Sequence, residues 1–125
     1  MPTGGLAMSA LSGIHHVSIN VTDVDAARQF YVDALGLELL PRPELGVPGL
    51  WMRAGAQEVH LLGMTSGAPL PEQHFAFAVA DLDALRERLG TLDIRVSVPM
   101  EIPGICRQAF TRDPSGNLVE FNQRL

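Results

Sequence analysis

The sequence predicts an α+β fold built from two successive βαβββ halves. Three observations predict it. The stretch from His16 to Arg28 is echoed by His74 to Arg86 at a constant offset, 74 − 16 = 58, with His, Val, Asp, Asp, Ala and Arg recurring at matching places. In each copy, residues alternate with period two and then shift to helical spacing after an Asp, the pattern of a strand feeding a helix. After each helix, short apolar runs punctuated by Gly and Pro read as three further strands.

The elements follow in chain order. Met1 to Gly13 reads as a flexible extension, with no basic n-region or full apolar h-region to make it a signal peptide. Ile14–Val21 is the first strand. Val17, Ile19 and Val21 take one face and His16, Ser18 and Asn20 the other, because successive side chains alternate. Thr22 or Asp23 caps a helix whose stripe is Ala27, Phe30, Tyr31, Ala34 and Leu35, and Gly36 suits the left-handed position that ends it. Leu37–Leu40 is a short strand. Residues 41–48 hold three prolines and form a loop, either a plain connector or a flap over a site. Gly49–Ala54 and Gln57–Leu62 are strands joined by a turn at Gly55-Ala56. Gly67, Pro69 and Pro71 mark residues 64–73 as the linker between module one (14–63) and module two (74–122) of a single domain spanning 14–125.

The second half repeats this order. His74–Ala80 is a strand, with Phe75, Phe77 and Val79 opposite His74, Ala76 and Ala78. Asp81 caps a helix with a buried stripe of Leu82, Leu85 and Leu89, ended by Gly90. Ile94–Val98, Ile105–Thr111 and Leu118–Asn122 are strands, the first two separated by a Pro99–Gly104 loop. The last two are joined by the turn Asp113-Pro114-Ser115-Gly116-Asn117, where Asp starts, Pro presets φ and Gly accepts positive φ.

Composition bounds the function. At 125 residues, 46% hydrophobic, the chain is long enough to bury a core. A net charge of −5 with no basic stripe argues against nucleic acid. No apolar run approaches the length of a membrane span, so no membrane partner is expected. The one cysteine, Cys106, permits no intrachain disulfide, fits a cytoplasmic setting and reads as a small packed residue.

Four residues stand out as candidate metal ligands: His16, His60, His74 and Glu120. Val59-His60-Leu61 corresponds to Val119-Glu120-Phe121 at an offset of 60, so each half carries one candidate at the start of its first strand and another in its last. Imidazole and carboxylate together suit a divalent first-row ion such as Zn, Ni, Fe, Mn or Co, and strands present such groups rigidly. Any one of them alone reads as an ordinary strand residue; the weight lies in equivalent strands and a shared face. His15 has the opposite parity and reads as structural. Arg53, Arg107 and Arg112 are candidates for an anionic substrate or plain surface charge, and only one of Trp51 and Met52 should face a cavity. Phosphate-binding Gly-rich loops, nucleophile elbows and dinucleotide fingerprints are absent from the sequence.

These segments, with Phe30-Tyr31, Leu35-Gly36-Leu37 and Asp113 to Phe121, resemble the vicinal oxygen chelate superfamily, which includes glyoxalase I, bleomycin and fosfomycin resistance proteins, methylmalonyl-CoA epimerase and extradiol dioxygenases. The resemblance spans Ile14 to Asn122. It implies paired βαβββ modules forming a U-shaped, partly open mixed sheet, helices outside, around a divalent metal held by His16, His60, His74 and Glu120. It implies bidentate chelation of a small oxygenated substrate, with Glu120 moving the proton in a glyoxalase-like lyase or isomerase. An extradiol-type dioxygenase and a non-catalytic, ligand-sequestering resistance protein are the alternatives. It also implies a homodimer. Glyoxalase I usually has a carboxylate where this chain has His60, and the epimerases an amide.

Overall fold

The structure is a computed structural model describing residues 10–64 and 67–125; residues 1–9 of the expected extension and positions 65 and 66 of the expected linker lie outside the described residues. Strands β1 (His16–Val21), β2 (Glu38–Leu40), β3 (Gly49–Ala54) and β4 (Gln57–Gly63) form one four-stranded sheet in the order β1-β4-β3-β2. Strands β5 (His74–Ala78), β6 (Met100–Ile102), β7 (Cys106–Arg112) and β8 (Leu118–Arg124) form a second, in the order β5-β8-β7-β6. Each sheet is mixed: β1 runs parallel to β4 and β5 parallel to β8, and the other pairs are antiparallel. The α+β class and the repeat are therefore as expected, with the eight strands divided between two open sheets.

Helices α1 (Val24–Arg28) and α2 (Leu82–Gly90) each pack on the two central strands of their own sheet. Both start on an aspartate. The Asp23 carboxylate accepts from the Ala26 N–H and that of Asp81 from the Ala84 N–H, each at 3.0 Å, satisfying donors that a first helical turn leaves orphaned. Ala27 and Met52, Val59 and Leu61 are buried in the first half; Leu82 and Leu89 with Ala109, Val119 and Phe121 in the second. Val17, Ile19 and Val21 lie on the covered face of β1, while His16, Ser18 and Asn20 are exposed. That separation is what period-two alternation requires of a sheet with one face on a core.

Two local readings are corrected. After Arg28, α1 widens into a π-helical stretch, Gln29–Ala34, in which Leu35 N–H donates to the Phe30 carbonyl at 2.9 Å. The predicted stripe is still buried at Phe30, Tyr31 and Ala34. The segment expected as a strand at Ile94–Val98 has no strand ladder; β6 forms at Met100–Ile102 instead. Side-chain hydroxyls explain the difference. Ser97 Oγ accepts from Phe110 N–H at 2.8 Å and Thr111 Oγ1 donates to the Arg95 carbonyl at 2.8 Å. The segment thus follows β7 through these hydroxyls and one backbone bond, from Ser97 N–H to the Phe110 carbonyl at 2.8 Å, and Pro99, lacking an N–H, ends it.

The turn at residues 113–117 joins the two halves. The Asp113 carboxylate accepts from Ser115 N–H, Asn117 N–H and Asn117 Nδ2 within its own turn, and from the buried Tyr31 hydroxyl of the first half at 2.8 Å. Asn117 Nδ2 also donates to the Asn20 carbonyl, and Ser115 Oγ accepts from Thr22 N–H, each at 2.9 Å. Gly116 supplies the positive φ of 88° that the turn needs.

Candidate functional site

Strand register places the four candidate ligands equivalently in the two sheets. His16 begins β1, and His60 pairs with Ser18, two residues further along. His74 begins β5, and Glu120 pairs with Ala76, again two residues further along. The two-residue difference between the sequence offsets of 58 and 60 does not disturb this equivalence. In each half the second candidate is the diagonal neighbour of the first, within reach of a long or aromatic side chain.

In the second sheet the pair is in direct contact. His74 Nε2 lies 3.0 Å from Glu120 Oε1. His74 Nδ1–H donates to the Glu72 carbonyl at 2.8 Å, and Glu120 Oε2 accepts from Asn122 Nδ2 at 2.8 Å. Glu120 is buried, and the Phe110 ring stands edge-on to His74. A carbonyl that occupies one imidazole nitrogen fixes the tautomer and leaves the other to coordinate, the usual outer support of a metal-bound histidine.

In the first sheet the two imidazoles stack. The His16 and His60 rings lie 4.0 Å apart, and Trp51 covers the other face of His60 at 4.6 Å. His60 is buried, and its Nε2 lies 2.8 Å from Glu58 Oε1. That bond is the main reason the Glu58 carboxyl sits below the usual carboxylate range. The His16 imidazole sits below the usual histidine value, chiefly through desolvation in this stack, then through His60 and His15. His15 does not turn away: it precedes the strand, so alternation does not govern it, and its Nδ1 lies 2.9 Å from His16 Nδ1.

The four candidates thus stand as two pairs on separate sheets. Among the described residues, no three His, Cys, Asp or Glu side chains are gathered to hold an ion within one protomer. The donor chemistry nevertheless suits a divalent first-row cation. The 3.0 Å between His74 Nε2 and Glu120 Oε1 is a spacing that two donors can adopt on one ion at about 2.0–2.2 Å each. Of the arginines considered from sequence, Arg53 pairs with Glu38, Arg107 with Asp83, and Arg112 donates to the Gly116 and Pro71 carbonyls. Trp51, not Met52, faces the site. A cavity of about 460 Å³ runs between β1 and the start of β5, lined by Ser18, Asn20, Leu70, His74 and Ser115 among others.

Glu58 and Asn122 escaped the sequence reading, although alternation gives a signal for both. Glu58 lies two residues before His60 and Asn122 two after Glu120, so each shares the site face. Glu58 also sets a carboxylate beside the imidazole at the position where the resemblance leads one to expect an acid.

The profile of the Glyoxalase/Bleomycin resistance protein/Dioxygenase superfamily matches residues 13–121. Among solved structures, a glyoxalase family protein from Bacillus anthracis is 28% identical, with a TM-score of 0.86 over 95% of this chain and 100% of its own. A lactoylglutathione lyase from Agrobacterium tumefaciens is 27% identical, with a TM-score of 0.74 over 92% and 96%. TnmS3, an antibiotic binding protein from Streptomyces sp. CB03234, is also 27% identical, with a TM-score of 0.77 over 94% and 100%. An enzyme and a binding protein thus resemble this chain equally in sequence. With its duplicated sheets, its paired donors and a match over nearly its full length, the chain belongs to the Glyoxalase/Bleomycin resistance protein/Dioxygenase superfamily.

Proposed function

We propose that the protein is a metal-dependent enzyme acting on a small oxygenated substrate, a lyase or isomerase of glyoxalase type. The observation that supports this best is the His74–Glu120 pair, with each partner steadied from behind by Glu72 and Asn122. His16, His60, His74 and Glu120 are the residues to hold a divalent ion such as Zn, Ni, Fe, Mn or Co. When bound, such an ion supplies Lewis-acid stabilisation of charge developing on substrate oxygens. Oε1 of Glu120, which faces His74, would hold that ion. Oε2, held by Asn122, takes a proton from substrate carbon and returns it, the role of a positioned general base. The stacked rings of His16, His60 and Trp51 form a flat wall that orients the substrate and limits water.

Because each protomer gathers two donors on each sheet, the full set is proposed to form in a homodimer, where His16 and His60 of one protomer meet the partner's His74 and Glu120. The test is metal analysis of gently purified protein, followed by assays with defined ions. Hemithioacetal isomerisation with Ni or Zn supports the lyase. Oxygen consumption with Fe(II) and a catechol replaces it with the dioxygenase. A second reading, sequestration without turnover, draws on the three-ring stack, which suits a planar ligand, and on the antibiotic-binding relative. Ligand binding without chemical change after metal reconstitution would favour it.

A further inference from the structure

Arg42 is the one arginine among the described residues whose Nε and Nη2 are both shielded from solvent with no hydrogen-bond partner. These atoms form the side-on edge of the guanidinium, the edge whose geometry matches a carboxylate. Possible counter-ions are engaged elsewhere. Glu38 pairs with Arg53, and Glu44, in the same loop, accepts from Gly46 N–H at 3.2 Å. Two N–H groups withdrawn from water without an acceptor are a standing cost to the fold, although acids outnumber Lys and Arg by 14 to 9 in this chain.

The location ties Arg42 to the site. A Cβ at Gly49 would come within 3.1 Å of Arg42 Cζ and Nη2, so the guanidinium lies against the start of β3 where a side chain is missing. Leu40 pairs with Trp51 and Trp51 with His60, so these three share one face. Arg42 lies beyond the end of β2, and its approach to Gly49, two residues before Trp51 in β3, places it beside that face. Arg42 itself belongs to the proline-rich loop at residues 41–48. Among the described residues, no backbone hydrogen bond ties Pro41 to Val47 to a neighbouring strand, and Leu45 and Val47 are exposed. The loop is held at its far end, where the Pro48 carbonyl accepts from Gly63 N–H at 2.8 Å, so the stretch from Pro41 to Val47 can swing, and carry Arg42 with it, without breaking a ladder.

We propose that Arg42 is an anion receptor at the edge of the site and that it selects a substrate bearing a carboxylate, bound side-on by Nε–H and Nη2–H when the loop swings the guanidinium off Gly49. This deepens the reading of the site as one for a small oxygenated substrate and rests on it. The test uses the full chain with succinate as probe, inorganic phosphate as a competing oxyanion and succinamide as the uncharged control, read by the NMR signal of the Arg42 Nε–H and by thermal denaturation. Succinate is expected to shift the Nε–H signal and raise the Tm, with phosphate weaker and succinamide inert. In Arg42→Met, succinate affinity is expected to fall at least about tenfold, while the ligand-free Tm rises because two shielded, unpartnered N–H groups are gone. Arg42→Lys keeps the charge without the fork and is expected to bind in between. Equal succinate binding by wild type and Arg42→Met, or succinamide binding as well as succinate, would overturn the proposal; tighter phosphate binding would overturn the carboxylate assignment. The same titration on EDTA-treated protein separates this claim from the metal. A persisting Arg42 response in a protein that binds no metal leaves Arg42 standing and removes the metal; metal binding without an Arg42 response does the reverse.

Discussion

The two halves share a plan and differ in what they place on it. Each has a parallel outer pair of strands, an Asp-capped helix over its two central strands, and a donor pair in the same diagonal register. The first half stacks two imidazoles against an indole and backs one with Glu58. The second sets one imidazole against one carboxylate and backs them with a carbonyl and an amide. The backbone repeat therefore fixes where the four candidates stand, while the side chains make the halves chemically different. In the proposed reading the first half forms the platform and the second carries the proton chemistry.

That contrast breaks most sharply at Glu120. Glu120→Gln keeps the shape and the Asn122 neighbour but removes the base, so turnover is expected to fall by about 10²–10⁴. His16→Ala should lower metal content with less effect on the pH profile of the remaining activity, read by metal analysis beside steady-state kinetics. Equal pH profiles for Glu120→Gln and wild type would remove the division of labour.

The next effect in size tests the joint rather than either half. The Asp113 carboxylate accepts four hydrogen bonds, one of them from Tyr31 across the joint. Asp113→Ala is expected to cost about 3 kcal/mol, measured by urea denaturation. Burial, then the charge and hydrogen bond of Asp113, push the Tyr31 phenol well above its ordinary value. A group whose folded pKa is raised gives stability that is complete below its unfolded pKa, about 10 for Tyr, and is lost as pH rises beyond it. Tyr31 is the chain's one tyrosine, so alkaline titration should show tyrosinate absorbance only together with unfolding. Ionisation in the folded protein near the ordinary value would contradict the buried pair.

Smaller effects compare the supports. Asn122→Ala should weaken metal binding about tenfold, the scale of an outer-shell partner, and Glu58→Ala should do the same from the other sheet. An effect confined to Asn122 would mean that His60 is a stacking residue and not a ligand. Smallest are the caps: Asp23→Ala and Asp81→Ala should each cost about 1 kcal/mol, nearly alike. A cost much larger at Asp23 would show that the π-helical stretch depends on the cap.

Much of this was legible in the sequence because the repeat and the alternation are local. The strand faces at His16 to Val21 and His74 to Ala78, the Asp81 cap and the turn at Asp113 follow from residue type and spacing alone; at the first helix spacing left Thr22 and Asp23 open, and the structure selects Asp23. What was not legible depends on neighbours distant in sequence. The π-helical widening positions Tyr31 for an aspartate 82 residues away. The residues at 94–98 looked like a strand by their apolar content, but only Ser97 makes a backbone bond to β7, and the Ser97 and Thr111 hydroxyls supply the rest. Alternation placed the candidate ligands on the right faces, yet it could not reveal that His60 would be sandwiched between His16 and Trp51, or that Arg42 would lie over Gly49.

The central claim is that both donor pairs serve one ion. Zn or Ni binding to the intact protein, measured by calorimetry for wild type, His16→Ala and His74→Ala, tests it most directly. The account predicts one ion per protomer in wild type and the loss of that site in both variants. A site lost in only one variant, or retained in both, would contradict it.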